Sequence, residues 1–306
     1  MDFSALIEKM VIFVVLMVIG YVCARTGTTD KSFTRAASKL VINVFMSATI
    51  MNAVFVTELE LSLAALSRIL LLLFGVQLLI CLLAFLFGRV IPVEKEHKAQ
   101  LELLMGMSNT MFIALPVAES LFGPTAVFYC SLASIPFNVV LYTYGVLLLK
   151  SGREGEKLRV KDIFSVPLVM TVISVVVFLL DPPIPSVLRS LASAMSGATM
   201  PMSMLVIGTS LGTVSLLDAF KNPKIYLASF VRLILAPLAV WLLFRPLVDD
   251  PVLLMTMVLL GGAPSAVVIT VLSIQYERDE VFSSEAVLNS TALSMVTIPA
   301  LVWLLM

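Results

Sequence analysis

From residue 5 to residue 305 the chain is a succession of long apolar stretches separated by short charged or Pro/Gly-rich breaks. About 20 apolar residues cross the hydrocarbon core of a bilayer as a helix. Ten such segments can be marked, near 5–24, 34–57, 66–90, 100–122, 125–149, 163–180, 185–214, 223–246, 251–275 and 281–305. Runs such as Ile69 to Phe74 and Pro237 to Phe244 lack the two-residue alternation of a membrane β-strand, so the fold class is an all-α polytopic membrane protein. With 60% hydrophobic and 13% charged residues the chain lies far from the composition of a soluble domain. Its 20 Lys and Arg balance 20 Asp and Glu, which leaves no basic field for a nucleic acid; the partner that composition implies is the lipid bilayer. The first run, Met10 to Ala24, has no small-residue cleavage site behind it and reads as a retained helix rather than a signal peptide.

Fifteen of the 20 cations fall in the connections after segments 1, 3, 5, 7 and 9 or at the segment ends beside them, whereas the other face holds Lys9, Arg68, Arg189 and Arg245, and Arg232 lies inside segment 8. Cytoplasmic loops carry the excess of Lys and Arg, so both termini are expected outside the cytoplasm, in an inner or plasma membrane. The polar stretch 150–162 then divides the chain into a first repeat, 1–149, and a second, 163–306, of five segments each. Because five is odd, the second repeat enters the membrane from the opposite side, the condition for an inverted repeat.

Two segments are interrupted at corresponding places. Segment 4 carries Gly106-Met107-Ser108-Asn109-Thr110, with Pro116 beyond it, and segment 9 carries Gly261-Gly262-Ala263-Pro264-Ser265. Gly, Ser and Pro also serve close packing in membrane helices, but matched interruptions in two halves mark a transporter's binding site. Unwound backbone is tolerated at membrane depth only where it is buried in protein or lines a wet cavity, and the N–H groups at a half-helix start suit an anion. Ser108, Asn109, Thr110 and Ser265, with the backbone at Ala263 and Pro264, are therefore candidate ligands of a carboxylate, and Gly106, Pro116, Gly261, Gly262 and Pro264 are the candidate helix-breaking residues.

The stretch Ser108-Asn109-Thr110-Met111-Phe112-Ile113-Ala114-Leu115-Pro116-Val117, followed by Leu121-Phe122-Gly123, resembles the fourth-helix signature of the auxin efflux carrier family. That family contains the plant PIN carriers and bacterial transporters of malonate and other organic acids. Ile19-Gly20-Tyr21, Lys39-Leu40-Val41-Ile42-Asn43, Ile207-Gly208-Thr209-Ser210-Leu211, Ala263-Pro264-Ser265-Ala266 and Ser290-Thr291-Ala292-Leu293-Ser294 are similar to its other motifs, in order along the whole chain. The resemblance implies ten helices with the fourth and ninth crossing at their breaks, a scaffold of helices 1, 2, 6 and 7, a transport domain of helices 3–5 and 8–10, and a homodimer through the scaffold. Many relatives have proline just before the fourth-helix asparagine and another in the second helix; here Ser108 and Ser47 stand there and keep the backbone donor that proline lacks. Ser47 joins the candidate ligands.

Other polar residues in the spans have two readings each. Asn138 in segment 5 is either interhelical glue or a substrate contact, and Asn43 and Asn52, nine positions apart in segment 2, cannot both face one cavity. Arg232 either neutralises an anionic substrate or bonds the carbonyls of a broken helix or snorkels. The lone histidine, His97, reads as a solvated loop residue, and Cys23, Cys81 and Cys130 as small hydrophobes that form no disulfide framework or metal site. No HExxH or Walker loop is present, so neither a catalytic residue, a metal nor a cofactor is expected. Three functions stay open: a secondary carrier of a small organic anion, a sodium-coupled symporter of the bile-acid type using groups such as Gln77, Asn109 and Gln275, and a non-transporting sensor or assembly partner.

Overall fold

The computed structural model describes residues 3–56, 62–150, 166–212 and 220–305, and among them every regular element is a helix. The polar stretch at 150–162 lies outside the described residues from position 151 onward. In chain order the helices are α1 (Phe3–Arg25), α2 (Lys31–Leu40), α3 (Met46–Val56), α4 (Leu63–Val90), α5 (Lys98–Gly106), α6 (Leu115–Phe122), α7 (Pro124–Val140) and α8 (Val146–Lys150). They continue with α9 (Val166–Leu180), α10 (Ser186–Gly212), α11 (Pro223–Phe230), α12 (Ala236–Phe244), α13 (Pro251–Gly262), α14 (Val268–Gln275) and α15 (Glu280–Leu305). Wide π-helical turns at Val41–Phe45, Thr110–Ala114, Leu141–Gly145 and Val231–Leu235 lead into the helices that follow them. Among the described residues, six helical stretches are long and apolar enough to cross a membrane: Ser32–Val56, Leu63–Val90, Pro124–Lys150, Ser186–Thr209, Pro223–Leu247 and Val281–Leu305. Shorter apolar helices run over Val11–Arg25, Thr110–Phe122, Val169–Leu180 and Pro251–Gly262.

The helix starts follow from local chemistry. Asp30 accepts from the Phe33 N–H at the start of α2, and that bond, with the Ser32 hydroxyl, holds its carboxyl below the usual carboxylate range. Asn222 and Asp250 cap α11 and α13 in the same way, each followed by a proline at the first helical position, where a missing N–H costs nothing.

The chain divides into two compact units. The first comprises Met1–Arg68, Met111–Ile135 and Phe164–Thr213. Its tightest seam joins α1 to α10 through glycines: a methyl group on Gly208 would lie 2.0 Å from the Met17 carbonyl oxygen, and one on Gly20 would lie 2.3 Å from that of Leu205. Only hydrogen fits where two backbones come this close. Buried hydroxyls pair across the same unit, Thr49 with Thr199 at 2.7 Å, and the Ser196 hydroxyl donates to Glu119 at 2.9 Å.

The second unit comprises Ile69–Thr110, Pro136–Ile163 and Val214–Met306. Leu101, Leu104 and Met105 of α5 sit in a buried apolar cluster with Ile225 of α11, Ile269 of α14 and Phe282 of α15. At the start of α5, His97 is not the solvated loop residue its sequence neighbours imply. Its side chain is only 18% exposed, its Nε2 lies 3.0 Å from Asp279 Oδ2, and its ring stacks on Phe282 with centroids 4.4 Å apart. Asp279 in turn accepts the N–H groups of Val281 and Phe282, capping α15. Burial pushes the Asp279 carboxyl up, but the Phe282 N–H, His97 and the Val281 N–H outweigh it and hold the carboxyl below its usual range.

A candidate substrate site at two paired helix breaks

The second unit contains both interruptions. Helix α5 ends at Gly106 and the next residue, Met107, is extended (φ −113°, ψ 119°); α13 ends at Gly262 and Ala263 is extended (φ −67°, ψ 146°). The two extended segments run antiparallel side by side. The Asn109 N–H donates to the Pro264 carbonyl at 2.7 Å and the Ala266 N–H to the Met107 carbonyl at 3.0 Å, with Ser108 opposite Ser265. Each break thus supplies hydrogen bonds that the other lost on leaving its helix.

The carbonyls at the ends of α5 and α13 are also covered. Arg232, fully buried, donates from Nε to the Ala263 carbonyl at 2.8 Å, from Nη1 to that of Met105 at 3.1 Å and from Nη2 to that of Leu260 at 2.9 Å. Gln77 Nε2 donates to the Gly106 carbonyl at 3.0 Å, and the Ser265 hydroxyl to that of Leu104 at 2.7 Å. The Ser265 N–H reaches Ser290 Oγ at 3.1 Å. Of the readings open for Arg232, carbonyl bonding is the one the structure shows; with no exposure the side chain does not snorkel.

Local sequence explains how Arg232 is aimed. Proline at position 237 has no N–H and its ring would collide with the carbonyl four residues back, a conflict that a wider turn relieves. The chain forms the π-helical turn Val231–Leu235 immediately before Pro237, closed by the Ala236 N–H on the Val231 carbonyl. The same proline is why α13 carries paired glycines: a methyl group on Gly261 would lie 3.1 Å from Pro237 Cα, and one on Gly262 would lie 3.3 Å from the Pro237 ring. Their lack of a side chain lets α12 approach α13.

The structure brings Ser108, Asn109, Ala263, Pro264 and Ser265 together, all buried, with Thr110 next in chain donating its N–H to the Ser108 carbonyl at 2.8 Å. Asn138 is buried on α7 in this unit. Ser47 on α3 and Pro116 in the first turn of α6 belong to the first unit. Of the segment-2 asparagines, Asn43 is exposed. Two contributors were not assigned from sequence as donors to the breaks: Gln77, named only as a sodium ligand in the symporter reading, and Ser290, whose only signal was its place in a short Ser/Thr motif.

The sequence matches the membrane transport protein family over residues 5–160 and 155–303. It is 24% identical over 312 residues to an uncharacterized transporter of Methanocaldococcus jannaschii, covering 98% of each chain. It is 25% identical over 305 residues to an uncharacterized transporter of Methanothermobacter thermautotrophicus, again covering 98% of each.

Proposed function

Because the chain belongs to the membrane transport protein family, that of the auxin efflux carriers its motifs resemble, we propose that it is a secondary carrier of small organic anions, mono- or dicarboxylates, working by elevator-type alternating access. The observation that carries this reading is the polarity of the paired breaks. The negative ends of α5 and α13 are covered by Arg232, Gln77 and Ser265, while two helices restart from the breaks, at Thr110 and Val268, with their positive ends toward them. A site built this way favours a carboxylate, held by backbone N–H groups and the side chains of Ser108, Asn109 and Thr110, while Ser265, its one hydroxyl proton on the Leu104 carbonyl, holds the break in place. Asn138, buried in the same unit, completes the proposed ligand set.

In this reading the ten apolar segments are ten spans in two inverted repeats, 1–149 and 163–306, joined by a cytoplasmic linker at 150–162, with both termini outside the cytoplasm of a plasma membrane. Support comes from the six long and four shorter apolar helices among the described residues, each of which overlaps a different one of the ten segments, and from the one-sided distribution of Lys and Arg. Helices 1, 2, 6 and 7 form the scaffold, through which two copies pair, and helices 3–5 and 8–10 move. The test is uptake of a panel of radiolabelled carboxylates into proteoliposomes, with sodium and proton gradients imposed separately. Saturable uptake of at least one carboxylate is expected; a purified, folded protein that moves none of them overturns the reading.

A further inference from the structure

Sodium-coupled carriers hold their ion on the carbonyls that broken helices leave at the ends of half-helices. Here the carbonyls of Met105, Leu260 and Ala263 converge on one group, the Arg232 guanidinium, at 3.1, 2.9 and 2.8 Å, and those of Leu104 and Gly106 accept from Ser265 and Gln77. Arg232 makes no ion pair with a carboxylate among the described residues. Its charge is balanced by carbonyl dipoles at the C-terminal ends of two helices, the balance that a bound monovalent cation would require.

We propose that Arg232 is a tethered stand-in for a coupling cation: its guanidinium permanently fills the carbonyl cradle of the paired breaks, so that no sodium ion binds there and transport is independent of sodium. A second cation about 4 Å away would meet repulsion that lowers its affinity on the order of a thousandfold. The planar fork of three separately directed nitrogens also matches carbonyls from two different chain segments, which a lysine ammonium at the end of its stem would not span.

The inference concerns the cradle first and rests on the carrier reading only in its transport arm. Melting temperature of the purified protein in detergent is measured in sodium, potassium and choline chloride at equal ionic strength. The wild type is expected to melt within about 1 °C in all three; a ligand present well above its Kd would raise the melting temperature by several degrees. A wild-type melting temperature that climbs with sodium and not with choline overturns the proposal, whether or not any variant folds. Arg232→Ala should melt lower and recover by about 3 °C or more in low-millimolar methylguanidinium, which leaves the wild type unchanged. A folded Arg232→Ala protein that no guanidinium compound stabilises shows that the carbonyls are not a cation seat and also overturns it. In proteoliposomes, anion uptake should be equal in sodium and potassium. Uptake lost on removing sodium defeats this inference and leaves the carrier reading standing, whereas absence of uptake in every salt defeats the carrier reading and leaves the melting result to decide the cradle.

Discussion

The hydroxyl of Ser265 donates to the carbonyl of Leu104 at 2.7 Å across 161 positions of sequence, so one helix break terminates the helix that precedes the other. Both groups are buried, and removing the donor leaves a carbonyl without its partner. Ser265→Ala is expected to lower stability by about 1–3 kcal/mol. Thermal unfolding of the detergent-purified variant checks this; an unchanged melting temperature would mean that the link is energetically idle.

Asn109 contributes to the pairing through its main chain, since its N–H meets the Pro264 carbonyl. In the proposed site its side chain bonds the anion. Asn109→Ala should leave protein yield nearly unchanged while weakening anion affinity about 5–150-fold, the value of one or two hydrogen bonds. Uptake kinetics read this directly, and normal affinity in the variant would place the anion elsewhere.

Two glycines of α10 make a matched pair of tests. Gly208→Ala would set a methyl group 2.0 Å from a backbone oxygen of α1, whereas a methyl group on Gly197 meets nothing within 4 Å. The first variant should yield little or no monodisperse protein. The second should be neutral or more stable by up to about 1 kcal/mol, the helix preference of alanine over glycine. Size-exclusion profiles of the two side by side decide the matter; equal profiles would contradict the seam.

Asp279 gives a pH signature. Its folded carboxyl is held below the value of about 3.9 that an unfolded Asp has, so its contribution is fully present above that value and disappears as pH falls through the lower, folded one. Asparagine caps a helix as well as aspartate does, so Asp279→Asn keeps the cap while removing the charge and one of the two carboxylate oxygens. The wild type should out-melt this variant at pH 5, and the difference should shrink as pH falls through and below the ordinary carboxylate range. A gap that persists in strong acid would assign it to something other than the carboxylate.

Topology is checked by labelling. With Cys23, Cys81 and Cys130 replaced, single cysteines at either terminus should react with a membrane-impermeant reagent on intact cells, and those in the 150–162 linker should not. Reaction of the linker from outside would undo the inverted-repeat assignment.

The positions of the breaks were legible because Gly, Ser, Asn and Pro interrupt apolar runs whose period is otherwise featureless, and Gly106 and Gly262 are indeed the last residues of their helices. Helix identity was equally plain, since a bilayer leaves few alternatives to continuous α-helix. What joins the breaks was not. Arg232 finds Met105 across 127 positions and Gln77 finds Gly106 across 29, and nothing in local propensity or spacing says which carbonyl a buried donor will meet. His97 was misjudged for the same reason: its run of charged neighbours pointed to water, but Asp279 and Phe282 arrive from the far end of the chain.

The seam of α1 with α10 works like a rack meshed with its own cast. The Leu205 oxygen sits in the notch at Gly20 and the Met17 oxygen in the notch at Gly208, one tooth from each helix into the other. A screw shift of either helix by a single residue, about 1.5 Å along and about 100° round, would replace the glycine at its notch by a neighbour whose side chain meets the opposing oxygen. The two helices therefore travel together or not at all, and whatever strokes the protein makes are geared through other joints.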